Sequence, residues 1–419
     1  MRSLATEMAP PFALVAHFFI AAVVFLLLST VALFEVYPDL SGYGISFSLA
    51  SFAHLYLLGF VMMVIFGAMY QLLPVVLEIP LFSKDFAYVQ FYAYVIGLGM
   101  MVLGFRYLEW HLLIAYGGFL TYMSIAIFCA NVFLTFYRLE KNSIVSSYLL
   151  MGTIFLAVAV TLGILLGFVL AHGMLSIDID AWVKAHVIGT LFGFVMMIVM
   201  GVSMVLIPMF SLAHGFKDRY IHAALFLHGI GVSVAILALV AALPTAVFYA
   251  ALGSVLISMG LYLFQMGIIF SVRVRKQNDY WVKNLFFSFL SLIGAMVMLL
   301  LFFIEAQERY LFAAAELFFF GFLLAFIVGH LYKILPFLIW YKTFSPLVGK
   351  QKVPLLHQMV HTKSADIQAF LLFISVVCLS IATLLPLQVL FYGASLGVMS
   401  SVVLVAFNVV YAFTYKGEN

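Results

Sequence analysis

Residues 59–74 read GFVMMVIFGAMYQLLP, and the same frame returns at residues 193–208 (GFVMMIVMGVSMVLIP) and 321–336 (GFLLAFIVGHLYKILP). In each copy a Gly-Phe pair opens the stretch, a second glycine follows eight residues on, and a proline closes it seven residues later. The second copy keeps 8 of the 16 residues of the first, and the third keeps 7. The copies start 134 and 128 residues apart, so the chain reads as three related units, near 10–140, 143–272 and 280–415. The frame constrains the fold because it is almost wholly apolar. On a helix its two glycines and its proline fall on one side, a smooth face against which another backbone can lie closely.

The surroundings of the frame are equally apolar. Of 419 residues, 67% are hydrophobic and 8% charged, with a mean hydropathy of +1.23. A soluble domain of this size does not tolerate such a composition, so the chain is expected to be an all-α polytopic membrane protein. One crossing takes about 20 apolar residues. Twelve such stretches lie between residues 11 and 414, which gives four helices to each unit within one transmembrane domain, 1–419. The first stretch has no separate small-residue cleavage site, so helix 1 is expected to be retained.

Lys and Arg accumulate on the cytoplasmic side of a membrane. With the N-terminus inside, only Arg106, Lys184 and Arg309 of the 19 Lys and Arg residues fall on the outer side. Both termini and the long 342–366 loop are therefore expected in the cytoplasm, in a bacterial inner membrane. The basic loops read as topology determinants facing the lipid bilayer, not as a nucleic-acid surface. Cys129 and Cys378 lie inside helices without a CxxC motif, so neither a disulfide framework nor a thiolate site is expected.

Ionisable side chains within spans are the candidates for function, because each needs a partner there. His54 lies five residues before Gly59, and His186 seven before Gly193, both in the outer halves of their helices. In the third unit Glu316 stands at the position equivalent to His54, and Ala314 at that of His186. If the units surround a pseudo-threefold axis, His54, His186 and Glu316 share one depth. A His, His, carboxylate set is a sensible ligand group for zinc, copper or iron. The competing reading gives each a hydrogen bond to a neighbouring helix. His17, His228 and His330 lie elsewhere in their spans and are candidates for an ion or proton path, with local hydrogen bonding as the alternative.

Twelve helices in three four-helix units, with histidines at the outer ends of repeat helices, resemble subunit I of the heme-copper oxidase superfamily. In detail, the run from Ala53-His54 through Gly59-Phe60 and Gly67 to Pro74 is similar to the heme-ligating helices of cbb-type oxidases. Trp182-x-x-x-His186 is similar to the start of their sixth helix, and the His-plus-glycine pattern is similar to NnrS-type membrane proteins. The resemblance implies heme ligation by His54, and metal ligation, copper above all, by His186. It also implies a cytochrome c-like or quinol electron donor, and a role in nitrogen-oxide handling or electron transfer. The chain departs from the family at two ligand positions. Helix 7 has only His222 and His228 in place of an adjacent His-His, and helix 10 has Ala314 and Glu316 in place of His-x-His. Oxygen reduction of the usual kind is therefore not expected, and oxidoreductase activity stays open. A transition-metal transporter and a cofactor-free scaffold or assembly subunit fit the same residues.

Overall fold

A computed structural model describes residues 10–42, 46–173 and 176–416. The outermost residues of both termini, expected in the cytoplasm, lie outside the described residues. Twelve helices are long and apolar enough to cross a membrane: α1 (Phe12–Glu35), α2 (Phe47–Leu77), α3 (Lys84–Arg106), α4 (Leu112–Phe136), α5 (Ile144–His172), α6 (Ile179–Ser211), α7 (Arg219–Val240), α8 (Thr245–Ser271), α9 (Tyr280–Glu305), α10 (Glu308–Thr343), α11 (Thr362–Leu384) and α12 (Gln388–Thr414). No strand occurs among the described residues beyond an isolated bridge between Ala213 and Arg273. The protein is an all-α polytopic integral membrane protein, as its hydropathy predicts.

Polar residues in the connections set the helix starts by accepting bonds from first-turn N–H groups. Ser46, Ser83 and Ser143 cap α2, α3 and α5, and Asp279 caps α9 through the N–H groups of Trp281 and Val282. Two caps move boundaries away from those the hydropathy suggests. Asp178 accepts from Ala181 N–H, so α6 begins at Ile179 rather than near 182. The Nδ1 of His361 accepts from Ser364 N–H, so α11 begins at Thr362 rather than near 366, and the expected 342–366 loop shortens to 344–361. Pro74, Pro208 and Pro336 do not end their helices, which run on to Leu77, Ser211 and Thr343.

Packing divides the chain differently from the sequence repeats. One unit is Met1–Val15 with Ile65–Lys276; the other is Ala16–Val64 with Gln277–Asn419. The boundary between the second and third repeats is kept, but the first repeat is divided, within both α1 and α2.

In the first unit the repeat glycines of α6 are covered by α5. A Cβ built on Gly193 would lie 2.8 Å from Phe155 Cβ, and one on Gly201 2.7 Å from Tyr148 Cβ. Neither position has room for a larger residue. Phe66, in the part of α2 belonging to this unit, packs on Phe128 of α4 at 4.5 Å and edge-on to Tyr94 of α3 at 5.3 Å. Tyr70 donates to Gln90 Oε1 at 2.8 Å, so its hydroxyl is satisfied within the core.

The second unit repeats the arrangement with other side chains. Phe25 of α1 covers Gly59, Ser291 of α9 covers Gly321, and Asn284 of α9 covers Gly329. In the second and third repeats the first helix thus runs along the glycine face of the second, and in the first repeat α1 covers Gly59. Tyr37, after α1, packs between Phe391 and Tyr392 of α12, with ring centroids at 4.9 and 5.6 Å. The frame-bearing helices are the most enclosed of the twelve: 72, 78 and 72% of an 18-residue apolar stretch is buried in α2, α6 and α10, against 50% or less elsewhere.

Candidate functional site

Each frame-bearing helix changes its winding at the same place. Residues Leu57–Met62 of α2, Gly189–Met196 of α6 and Leu317–Leu324 of α10 form π-helix, with i→i+5 bonds, and each segment ends three residues past the first glycine of its frame. Such segments are rare and concentrate at functional sites. Here each follows directly on an ionisable residue. His54 and His186 stand three residues before their segments, and Glu316 stands one before.

His54 is half-buried on α2, and its Nδ1–H donates to the carbonyl of Ala50, one turn back, at 2.7 Å. His186 is half-buried on α6, and its Nδ1–H donates to the carbonyl of Ala159 on α5 at 2.8 Å. Gly163 of α5 makes room for that ring, since a Cβ there would lie 2.7 Å from Cε1. A carbonyl can only accept, so in both residues Nδ1 carries a proton, and in the neutral imidazole the lone pair is then on Nε2. That is the tautomer of a histidine whose Nε2 ligates a metal.

Glu316 is buried, 4% exposed, on α10. Thr383 of α11 donates to its Oε1 at 2.5 Å, while Oε2 has no hydrogen-bond partner among the described residues. No group of three or more His, Cys, Asp or Glu side chains among the described residues is placed to hold a metal ion. A three-ligand set of His54, His186 and Glu316 therefore gains no support from the structure.

The path candidates have local partners. His228 of α7 is fully buried; its Nε2–H donates to the carbonyl of Phe192 at 2.8 Å, and its Nδ1 pairs with the Ser258 hydroxyl of α8 at 2.6 Å. Phe192 lies within the π segment of α6, where the i→i−4 ladder is broken, so His228 satisfies a carbonyl of the bulge. Tyr56 does the same for α10, donating to the carbonyl of Phe319 at 2.6 Å. His330 of α10 donates through Nδ1–H to Phe326 O at 2.8 Å and lies against the Phe326 ring and edge-on to Trp281. His17 is half-buried on α1.

Two features of the second unit were not singled out by the sequence. Lys333 of α10 and Asp279 at the head of α9 form an ion pair at 2.6 Å, their side chains 13 and 9% exposed, with the Tyr280 ring beneath the ammonium. A lysine inside a span was the available signal. The other is a set of buried hydroxyls and amides on α9, α11 and α12. Asn284 and Ser401 both bond Gln368, and Asn408 bonds Ser364. Ser288, Ser291, Ser380 and Ser395 bury hydroxyls that neither donate to nor accept from another described residue's side chain.

No protein-family model matches the chain, and no curated protein matches it.

Proposed function

We propose that this protein is a heme-binding integral membrane protein of electron transfer or nitrogen-oxide handling. His54 would hold the heme iron, and His186 would be a second, separate ligand position for heme or for a copper ion. The observation that carries this reading is the shared tautomer of the two histidines: each Nδ1–H is tied to a backbone carbonyl just before a π segment, which turns Nε2 into the donor atom. One histidine per site suits a heme iron, which takes a single protein ligand on a face, better than it suits a metal centre built from three side chains. A bound heme supplies one-electron redox chemistry and an iron that takes nitric oxide.

The chain's own residues do the positioning. Ala50 and Ala159 hold the imidazoles in one orientation, and Gly163 clears the space for His186. The membrane is a bacterial inner membrane with both termini in the cytoplasm, and the electron donor is a cytochrome c-like protein or a quinol at the outer end of α2.

Absorption spectra of detergent-purified protein, oxidised and dithionite-reduced, test the proposal. A Soret band with redox-dependent visible bands is expected, lost in His54→Ala and retained in His228→Leu. Protein produced with ample heme that shows no Soret band overturns it and shifts weight to metal transport or a cofactor-free scaffold.

A further inference from the structure

Hydrocarbon penalises a carboxyl that lacks a cation, so the setting of Glu316 calls for a reason. Among the described residues its side chain takes one hydrogen bond, from Thr383, and Oε2 is buried without one. No charged side chain of α9, α10 or α11 among the described residues bonds Glu316. On α9, Glu305 accepts from Tyr310 and Gln307, and Lys283 pairs with Asp366 of α11 at 2.8 Å. On α10 itself Arg309 lies over the Tyr310 ring. Lys363 stands at the far end of α11, one residue into the helix. A carboxyl so placed tolerates its neutral form and exposes charge only in passing, which is the behaviour of a proton carrier.

From Glu316 inward, the second unit continues in polar layers. At the Gly321 level α9 presents Ser291, whose hydroxyl has no partner. One heptad further, at Gly329, it presents Asn284, joined through Gln368 of α11 to Ser401 of α12. The last layer is the Lys333–Asp279 pair. Glu316 and Lys333 are 17 residues apart on α10. At a rise of 1.5 Å per residue that is roughly 25 Å, most of the hydrocarbon thickness of a bilayer. Hydroxyls and amides both donate and accept, so each layer can take a proton from, and hand it to, a neighbouring layer or a water between them.

We propose that the second unit conducts protons across the membrane along the α9, α10, α11 and α12 polar layers, with Glu316 as the group that loads and releases each proton. One proton leaves the carboxyl towards Ser291 as another re-forms its O–H from the opposite side, with no other bond made or broken. This activity is independent of heme at His54.

The test uses purified protein in vesicles of phosphatidylcholine and phosphatidylglycerol that enclose a pH-sensitive dye, with a potassium diffusion potential set by valinomycin. Proton entry faster than in protein-free vesicles is expected, falling to the protein-free rate in Glu316→Gln, which keeps the side-chain size and an acceptor for Thr383. The double variant Ser291→Ala with Asn284→Leu should slow entry as well. N,N′-dicyclohexylcarbodiimide provides a check on wild-type protein: the Glu316 O–H adds across its C=N bond, and flux should stop as Glu316 becomes labelled. Wild-type flux equal to that of empty vesicles overturns the proposal. So does unchanged flux in Glu316→Gln, or full flux with Glu316 labelled.

Discussion

Counted from their N-caps, α5 places Tyr148, Gly152 and Phe155 where α9 places Asn284, Ser288 and Ser291, a constant offset of 136 residues that also aligns Ser143 with Asp279. Both helices cover the glycine face of the helix that follows them. In the second repeat the cover is aromatic, and most buried polar groups are paired, Gln265 Oε1 excepted: Tyr148 donates to Ile221 O, Ser203 pairs with Tyr262, and His228 is bonded at both nitrogens. In the third repeat the cover is hydroxyl and amide, several of those groups lack partners, and a carboxyl and an ion pair stand at its two ends. One scaffold therefore serves two purposes. Aromatic cover gives a sealed core, whereas small polar cover leaves hydrogen-bonding capacity unspent inside the membrane, at a cost that packing elsewhere must offset.

The contrast can be broken most forcefully at the ion pair. Lys333→Met leaves Asp279 buried beside the Tyr280 ring, and should destabilise the protein by about 3–5 kcal/mol in thermal unfolding in detergent. Adding Asp279→Asn, which keeps a capping side chain for α9, should recover most of that loss. The glycine frames, Gly193 set against Gly321, place Val205 of α6 at the position of Lys333, so Val205→Leu in the second repeat should have little effect; a loss as large as that of Lys333→Met would show that bulk and not charge is at stake.

A smaller effect is expected from exchanging the two kinds of cover. Phe155→Ser makes α5 resemble α9 and should cost about 3 kcal/mol, since a buried ring is lost above Gly193. Ser291→Ala should stay within about 1 kcal/mol, because its hydroxyl has no partner to lose. Equal losses would erase the distinction between a sealing and a conducting helix.

The mildest change is at the bulge. His228→Leu removes the bond to the Phe192 carbonyl and should cost about 1 kcal/mol. Faster amide hydrogen exchange is expected within residues Gly189–Met196, with α10 unchanged because its own bulge is bonded by Tyr56.

The spans were legible because the membrane requires long apolar runs and the chain has few charges to confuse them. The repeats were legible because glycine and proline cannot be replaced freely on a closely packed face. The π segments were not legible: LLGFVM and GTLFGFVM are ordinary helical sequences, and nothing local marks an i→i+5 pattern whose spare carbonyls are bonded by Tyr56 and His228 from other helices. His54, His186 and Glu316 were found as ionisable residues in apolar runs, yet their partners were not. Ala159 is 27 residues from His186, and Thr383 is 67 from Glu316.

By itself the sequence determined that the chain crosses a membrane as helices, how many times it does so, and which three helices carry the recurrent packing face, because hydropathy and small-residue spacing are properties of single segments. Only the tertiary structure decided which helix covers each glycine face, that Lys333 answers Asp279, that Thr383 answers Glu316, and that the first repeat is divided between two packed units. Those are outcomes of which surfaces meet, and a buried polar group acquires its role from the atom opposite it rather than from its neighbours in the chain.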